Sequence, residues 1–253
     1  MQFRQRYHNG LSLTANYTLA KSSTDRYADA ASSEISYFTL RDRSLNWGPD
    51  VYDVRSTFSG YATYELPFGR DRHFKIGNGA LEQILGGWAI SGVLHLQTGR
   101  PFQLTSGRQT VNQQDSGVIL NGITVDELQK LVKVSPGPAG NVYFFDRKLV
   151  GPDGRANLQY LAFPTTPGER GQYIYLYGPG LFDLDLALNK QFRLSGRMSA
   201  NFQALMLTVL NKPSYLVGNT GGATLSIDST TFGQTTNMAA GPRAIVLRLQ
   251  LSY

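Results

Sequence analysis

Three histidines, a pair of aspartates and a run of tyrosines are the residues of this chain whose chemistry could go beyond packing. His8, His73 and His95 are far apart, and none stands at the spacing with which imidazoles share a metal. His95 therefore reads as a polar wall residue before it reads as a ligand. Asp183 and Asp185 stand two apart, so on a strand they point the same way. Such a pair could share a proton or hold a cation, although carboxylates so placed more often form a solvated wall with Lys or Arg across the strand. Tyr173, Tyr175 and Tyr177 also alternate, and their rings offer either faces on which a ligand could stack or packing between strands. Serine and threonine are plentiful, yet there is no Gly-x-Ser-x-Gly elbow and no Gly-rich phosphate loop ending in Lys-Ser/Thr. Cysteine is absent, which removes disulfides and thiolate metal sites. The residues thus predict no catalytic group, no metal, no cofactor and no enzyme.

The elements that carry these residues are strands. The chain is rich in glycine (27), tyrosine (14) and phenylalanine (13), a mix that suits strands and turns. Its net charge of +6 is scattered, with no basic run of the kind that marks a nucleic-acid arm. No apolar run is long enough for a spanning helix. A period of two recurs instead. Residues 3–7 form the tail of a first strand, and Asn9-Gly10 marks a tight hairpin. Residues 11–21, 57–66, 88–98, 181–194 and 198–210 alternate in turn, each with one mostly apolar face. Lys190 interrupts the apolar face near the end of its strand, where a long side chain can snorkel to water. In 198–210 the polar face carries Leu205, Leu207 and Val209. The last strand, 242–253, is the clearest: Ile245, Leu247, Leu249, Leu251 and Tyr253 oppose Ala244, Val246, Arg248, Gln250 and Ser252.

The connections between these strands alternate in length. His8–Gly10 and Ser195-Gly196-Arg197 are short and 67–87 is intermediate, whereas 22–53, 99–178 and 211–241 are long and irregular. Within 99–178 a short helix is expected at Thr124–Val132, capped by Thr124. Short turns at one end and long loops at the other is the pattern of an outer-membrane barrel with its long loops outside. Phe68, Trp88, Phe192 and Tyr253 all fall at the short-turn end, as one aromatic girdle should. The expected fold is all-β, an antiparallel transmembrane β-barrel segment of about seven strands, located in the outer membrane. Two other packings of the same strands bury the apolar faces differently. A soluble or surface-exposed β-rich binding protein would press them against a second sheet, and a small complete barrel would pair the first strand with the last.

Several stretches, in this order, resemble one family. They are GLSLTANYTLAKS (10–22), VRSTFSGYATYELPFG (54–69), GGWAISGVLHLQTGRPF (86–102), GPDGRAN (151–157) and GPGLFDLDLALNKQF (178–192). Asn211-Lys212-Pro213, Phe232-Gly233-Gln234 and Pro242-Arg243 complete the set. Together they resemble the C-terminal part of the barrel of TonB-dependent outer-membrane receptors, with the closest likeness to the Oar-like group, whose members often carry a carboxypeptidase-regulatory-like domain. The chain departs from that family at Ala204–Leu210, where an aromatic-rich segment with Glu and Asn is usual.

The resemblance implies that residues 1–253 are late strands of a larger barrel, of the 22-stranded plugged kind. The plug and N-terminal domains have no counterpart in the chain. The implied partners are outer-membrane lipid, the barrel-assembly machinery acting on the terminal strand that ends at Tyr253, and TonB only through the missing plug. Ligand selectivity would lie in the long loops, with Tyr173, Tyr175, Tyr177, Asp183, Asp185 and His95 as candidate contacts for uptake or export of an unidentified ligand.

Overall fold

In a computed structural model of the chain, alternation produces one sheet of seven long strands. They are β1 (Gln2–His8), β2 (Leu11–Leu19), β3 (Ser56–Glu65), β4 (Trp88–Gln97), β5 (Leu181–Ser195), β6 (Met198–Leu207) and β7 (Ala244–Ser252). The structure describes residues 1–25, 37–69, 72–112, 114–138, 140–195, 198–215, 217, 223–236 and 238–253. Each strand pairs antiparallel with the next in sequence. The β1–β2 turn uses Asn9 and Gly10, both at positive φ, as a two-residue hairpin requires. A Cβ on Gly10 would lie 2.7 Å from the Glu65 carbonyl, so the turn packs tightly against the end of β3. Of the β5–β6 turn expected at Ser195-Gly196-Arg197, Gly196 and Arg197 lie outside the described residues.

β1 and β7 are the two edges of this sheet and do not pair, so the small complete barrel does not form. No second sheet covers the apolar face among the described residues, so the packing a soluble sandwich needs is absent as well. Burial makes the same point. Among the described residues of the seven strands only Lys190 and Ala200 are buried, and every residue of β7 is exposed.

The hydrophobic core sits elsewhere. The stretch 99–178, read from sequence as irregular apart from one helix, is a folded cap. Its short strands Pro101–Leu104 and Ile174–Tyr177 pair with each other, as do Ile119–Leu120 and Leu161–Ala162. Val142–Phe145 pairs with Val132–Pro136 on one side and with Gln234–Thr235, from the β6–β7 connection, on the other. Phe102, Phe144, Phe145 and Phe232 pack ring to ring at centroid separations of 4.7–5.8 Å, surrounded by Leu104, Leu149 and Leu176. Strands of two to five residues give no readable period, which is why the sequence hid this core.

Among the described residues two α-helices and two short 3-10 turns, Arg43–Asn46 and Arg147–Leu149, complete the fold. One helix, α1 (Gly79–Leu85), is capped by Asn78 and lies inside the connector that the sequence reading left without structure. The other helix, α2 (Val125–Lys130), is capped by Thr124 as expected, with Glu127 completing a capping box, but it ends sooner than expected, because Val132 already opens the next strand.

Candidate functional site

The register of the sheet sorts its side chains into continuous rows. Leu13, Ala62, Gly92, Leu186, Met206 and Ile245 stand side by side across six strands, and Leu11, Tyr64, Ile90, Leu188, Ala204 and Leu247 form a parallel row. Leu247 and Leu249 are each 66% exposed. An apolar band this wide, covered by no protein, is a surface for lipid.

Aromatic residues bound the band at both ends. At the short-turn end, Trp88 and Phe192 flank Lys190, Phe68 stacks on Phe74, and Tyr253 projects fully exposed. At the long-loop end, Tyr17, Phe58 and Phe182 share a row with Leu96 and form a second girdle. The sequence placed these three on apolar faces, but only strand register aligns them. With Thr98 and Gly180 at the start of the loops, the same residues line a groove of about 600 Å³. Phe182 and Phe192 are ten positions apart on β5. At about 3.3 Å per residue and a tilt near 40° that spans roughly 25 Å, the height of an outer-membrane apolar band.

Lys190 does not snorkel as its position suggested. It is 1% exposed, donates to the Gly86 carbonyl at the end of α1, and lies over the rings of Trp88 and Phe192 at 5.4 and 5.0 Å. The connector folds back over it, so water is out of reach.

The opposite face is a polar ladder. Gln2, Asn16, Ser59, His95 and Asp183 form one row across β1 to β5. The His95 ring bridges Ser59 at 3.0 Å and Gln97 at 3.2 Å. Gln203 donates to Asn189 at 3.0 Å, and Thr63 meets Ser91 at 3.1 Å. Asp183 and Asp185 face neither Lys nor Arg among the described ion pairs. Asp185 accepts the Thr208 backbone N–H at 2.8 Å, and Asp183 accepts the Thr208 hydroxyl at 3.3 Å. Thr208 sits at φ 46, where β6 has ended, and its freed N–H needs an acceptor. Leu205 faces this side between Ala187 and Val246, so the departure from the family pattern makes an apolar patch on the wall.

The tyrosine run welds the cap to a second loop. Tyr173 stacks on Phe38 at 4.4 Å. The ring of Tyr175 fills the space above Gly48, where a Cβ would come within 2.5 Å of it. Tyr177 donates to Asp53 at 2.7 Å and accepts from Arg55 at 2.8 Å, while Arg55 pairs with Asp53 at 2.9 Å. Burial pushes the Tyr173 hydroxyl up to about 12 and raises those of Tyr175 and Tyr177 as well. Gln129 of α2 brackets the Tyr177 backbone, donating to its carbonyl and accepting from its N–H at 2.9 and 2.8 Å. All three long loops thus meet at one end of the sheet. Beside the GPDGR turn the cap holds a cavity of about 630 Å³ whose lining includes Arg108, Asp153, Arg155, Phe163 and Asp228.

Among the described residues no group of three or more His, Asp or Glu could hold a metal. His8, His73 and His95 lie on different parts of the sheet and its connectors. No helix is long and apolar enough to cross a membrane, which says nothing about strands.

Comparison with known proteins agrees with the geometry. A family described as outer membrane beta barrel domain matches residues 1–246. No curated protein and no solved structure matches the chain. With the family covering nearly its whole length, and with a lipid-ready belt between two girdles, the chain belongs to the outer-membrane β-barrel domain family and resides in the outer membrane.

Proposed function

We propose that the chain is a wall segment and outer cap of a TonB-dependent transporter of the Oar-like kind. The observation that carries this reading is the cap: at the outer end of an open sheet the 99–178 and 211–241 loops share one core, and the 22–53 loop is tied to it through Phe38 and Asp53. A cap so built holds a ligand-binding surface in fixed relation to the wall. The cavity beside the GPDGR turn, with both charges and an aromatic ring, has the size of a ligand pocket. His95, Asp183 and Asp185 on the polar ladder would then line the passage, and the cap tyrosines would shape its mouth.

Strand parity supports a segment over a finished barrel. In a seven-strand meander β1 and β7 run in the same direction. Joining them directly would make a parallel seam in an otherwise antiparallel wall. An odd number of further strands restores antiparallel pairing at both edges. In cells, loss of this protein and loss of TonB should abolish growth on the same members of a panel of iron chelates, oligosaccharides and peptides. Ligand binding at the cap without any TonB-dependent uptake would overturn the transport reading and favour a surface-binding role.

A further inference from the structure

We infer that the β3–β4 connector is a foot that rests in the inner leaflet of the membrane, with phospholipid at the headgroup–acyl boundary as its partner. Leu81, Ile84 and Leu85 of α1 stand at i, i+3 and i+4, one face of a helix. All three are exposed, Ile84 at 62%, and so are Phe68 and Phe74, which stack just before them. Nothing among the described residues covers this face.

Its position on the barrel identifies the occupant. Two side chains of the lipid-facing rows hold the C-terminal end of α1: Trp88 donates its indole N–H to the Ile84 carbonyl at 2.8 Å, and Lys190 donates to the Gly86 carbonyl. The helix therefore lies outside the wall, at the lower girdle, and its apolar face continues the belt. The same contacts argue for a low-dielectric setting. Carbonyls at a helix end in water need no side-chain donors, whereas at the membrane boundary an unpaired carbonyl is costly. The exposed His73 and Lys75 beside Phe74 add donors and positive charge suited to phospholipid phosphates. The foot is hidden in the sequence because the six residues between Gly79 and Gly86 carry too short a period to register as a helix.

The chain has no cysteine, so single-cysteine spin labels report cleanly. Labels would be placed by Ile84→Cys on the foot, Leu94→Cys on the belt and Asp126→Cys on α2 of the cap, in the full chain in phosphatidylethanolamine–phosphatidylglycerol vesicles. The expected result is an Ile84 label with more oxygen collisions and fewer nickel-chelate collisions than the Asp126 label, at a depth shallower than Leu94. An Ile84 label as wet as Asp126, with Leu94 still in lipid, overturns the foot while leaving the barrel intact. A wet Leu94 label would instead overturn the membrane placement on which the foot rests. Because a substitution could disturb assembly, the unaltered chain would also be exposed to vesicles carrying a photoreactive acyl phosphatidylethanolamine. Adducts within 74–85 are expected. Adducts confined to the strands, or capture of this segment by another protein, would refute the proposal.

Discussion

Leu186 and Ala187 are neighbours on β5 that face opposite ways, so introducing the same arginine at each isolates what lies on either side of the wall. Leu186 stands in the belt row with Gly92 and Met206, and Ala187 stands in the ladder row with Ser91 and Leu205. Phe182 and Phe192 mark the ends of the band, so both sites lie within about 3 Å of its midplane. An arginine on the lipid face at the midplane costs about 2–4 kcal/mol, and one on the lumen face costs little. The difference corresponds to roughly a 30- to 900-fold change in the folding equilibrium. Reversible denaturant unfolding of the two variants in lipid vesicles reads this directly. Leu186→Arg should lower stability by that amount relative to Ala187→Arg. Equal losses would refute the assignment of faces, and a larger loss for Ala187→Arg would reverse it.

Three further outcomes follow from the cap and its junction. Asp53→Ala removes a fully buried carboxylate that accepts from Ser22, Arg55 and Tyr177, and should cost about 1–3 kcal/mol locally, because Arg55 keeps access to water. Hydrogen exchange should rise at residues 37–54 and 173–177 while β2 to β6 keep their protection; a uniform rise would argue against a local junction. Phe145→Ala opens the ring cluster and should cost about 3–5 kcal/mol, melting the cap before the sheet, as seen by protease cleavage confined to 99–178. The Glu127 carboxyl is held below its ordinary value by the Thr124 backbone N–H and hydroxyl. A depressed carboxylate stabilises fully above its unfolded value, near pH 4.5, and that contribution fades as pH falls through the folded one. Protection factors at the start of α2, with the pH dependence of intrinsic amide exchange divided out, should therefore fall as pH drops below about 4.5 in the native chain. In Glu127→Gln that acid step should be missing.

The alternation of residues 11–21, 57–66, 88–98, 181–194 and 242–253 was enough to locate these strands to within a few residues, with their apolar faces and the unequal lengths of their connections. These properties are local, because side-chain direction follows backbone period. The Asn9-Gly10 turn and the Thr124 cap were equally legible, since a turn and a cap are closed within four residues. Register was not local. The upper girdle of Tyr17, Phe58 and Phe182, the ladder through His95 and Asp183, and the tie between Asp185 and Thr208 all depend on which residues of separate strands stand opposite. The cap core is the extreme case: Phe102, Phe145 and Phe232 come from distant parts of the chain, the first two in strands too short to show a period and the third in a turn. Lys190 shows the same limit in one residue. Its sequence neighbours suggested a side chain reaching for water, and only the packing of Gly86 and the end of α1 against it decided that its charge would be buried. A chain specifies its periods residue by residue, but which surfaces meet is settled by the free energy of the whole assembly.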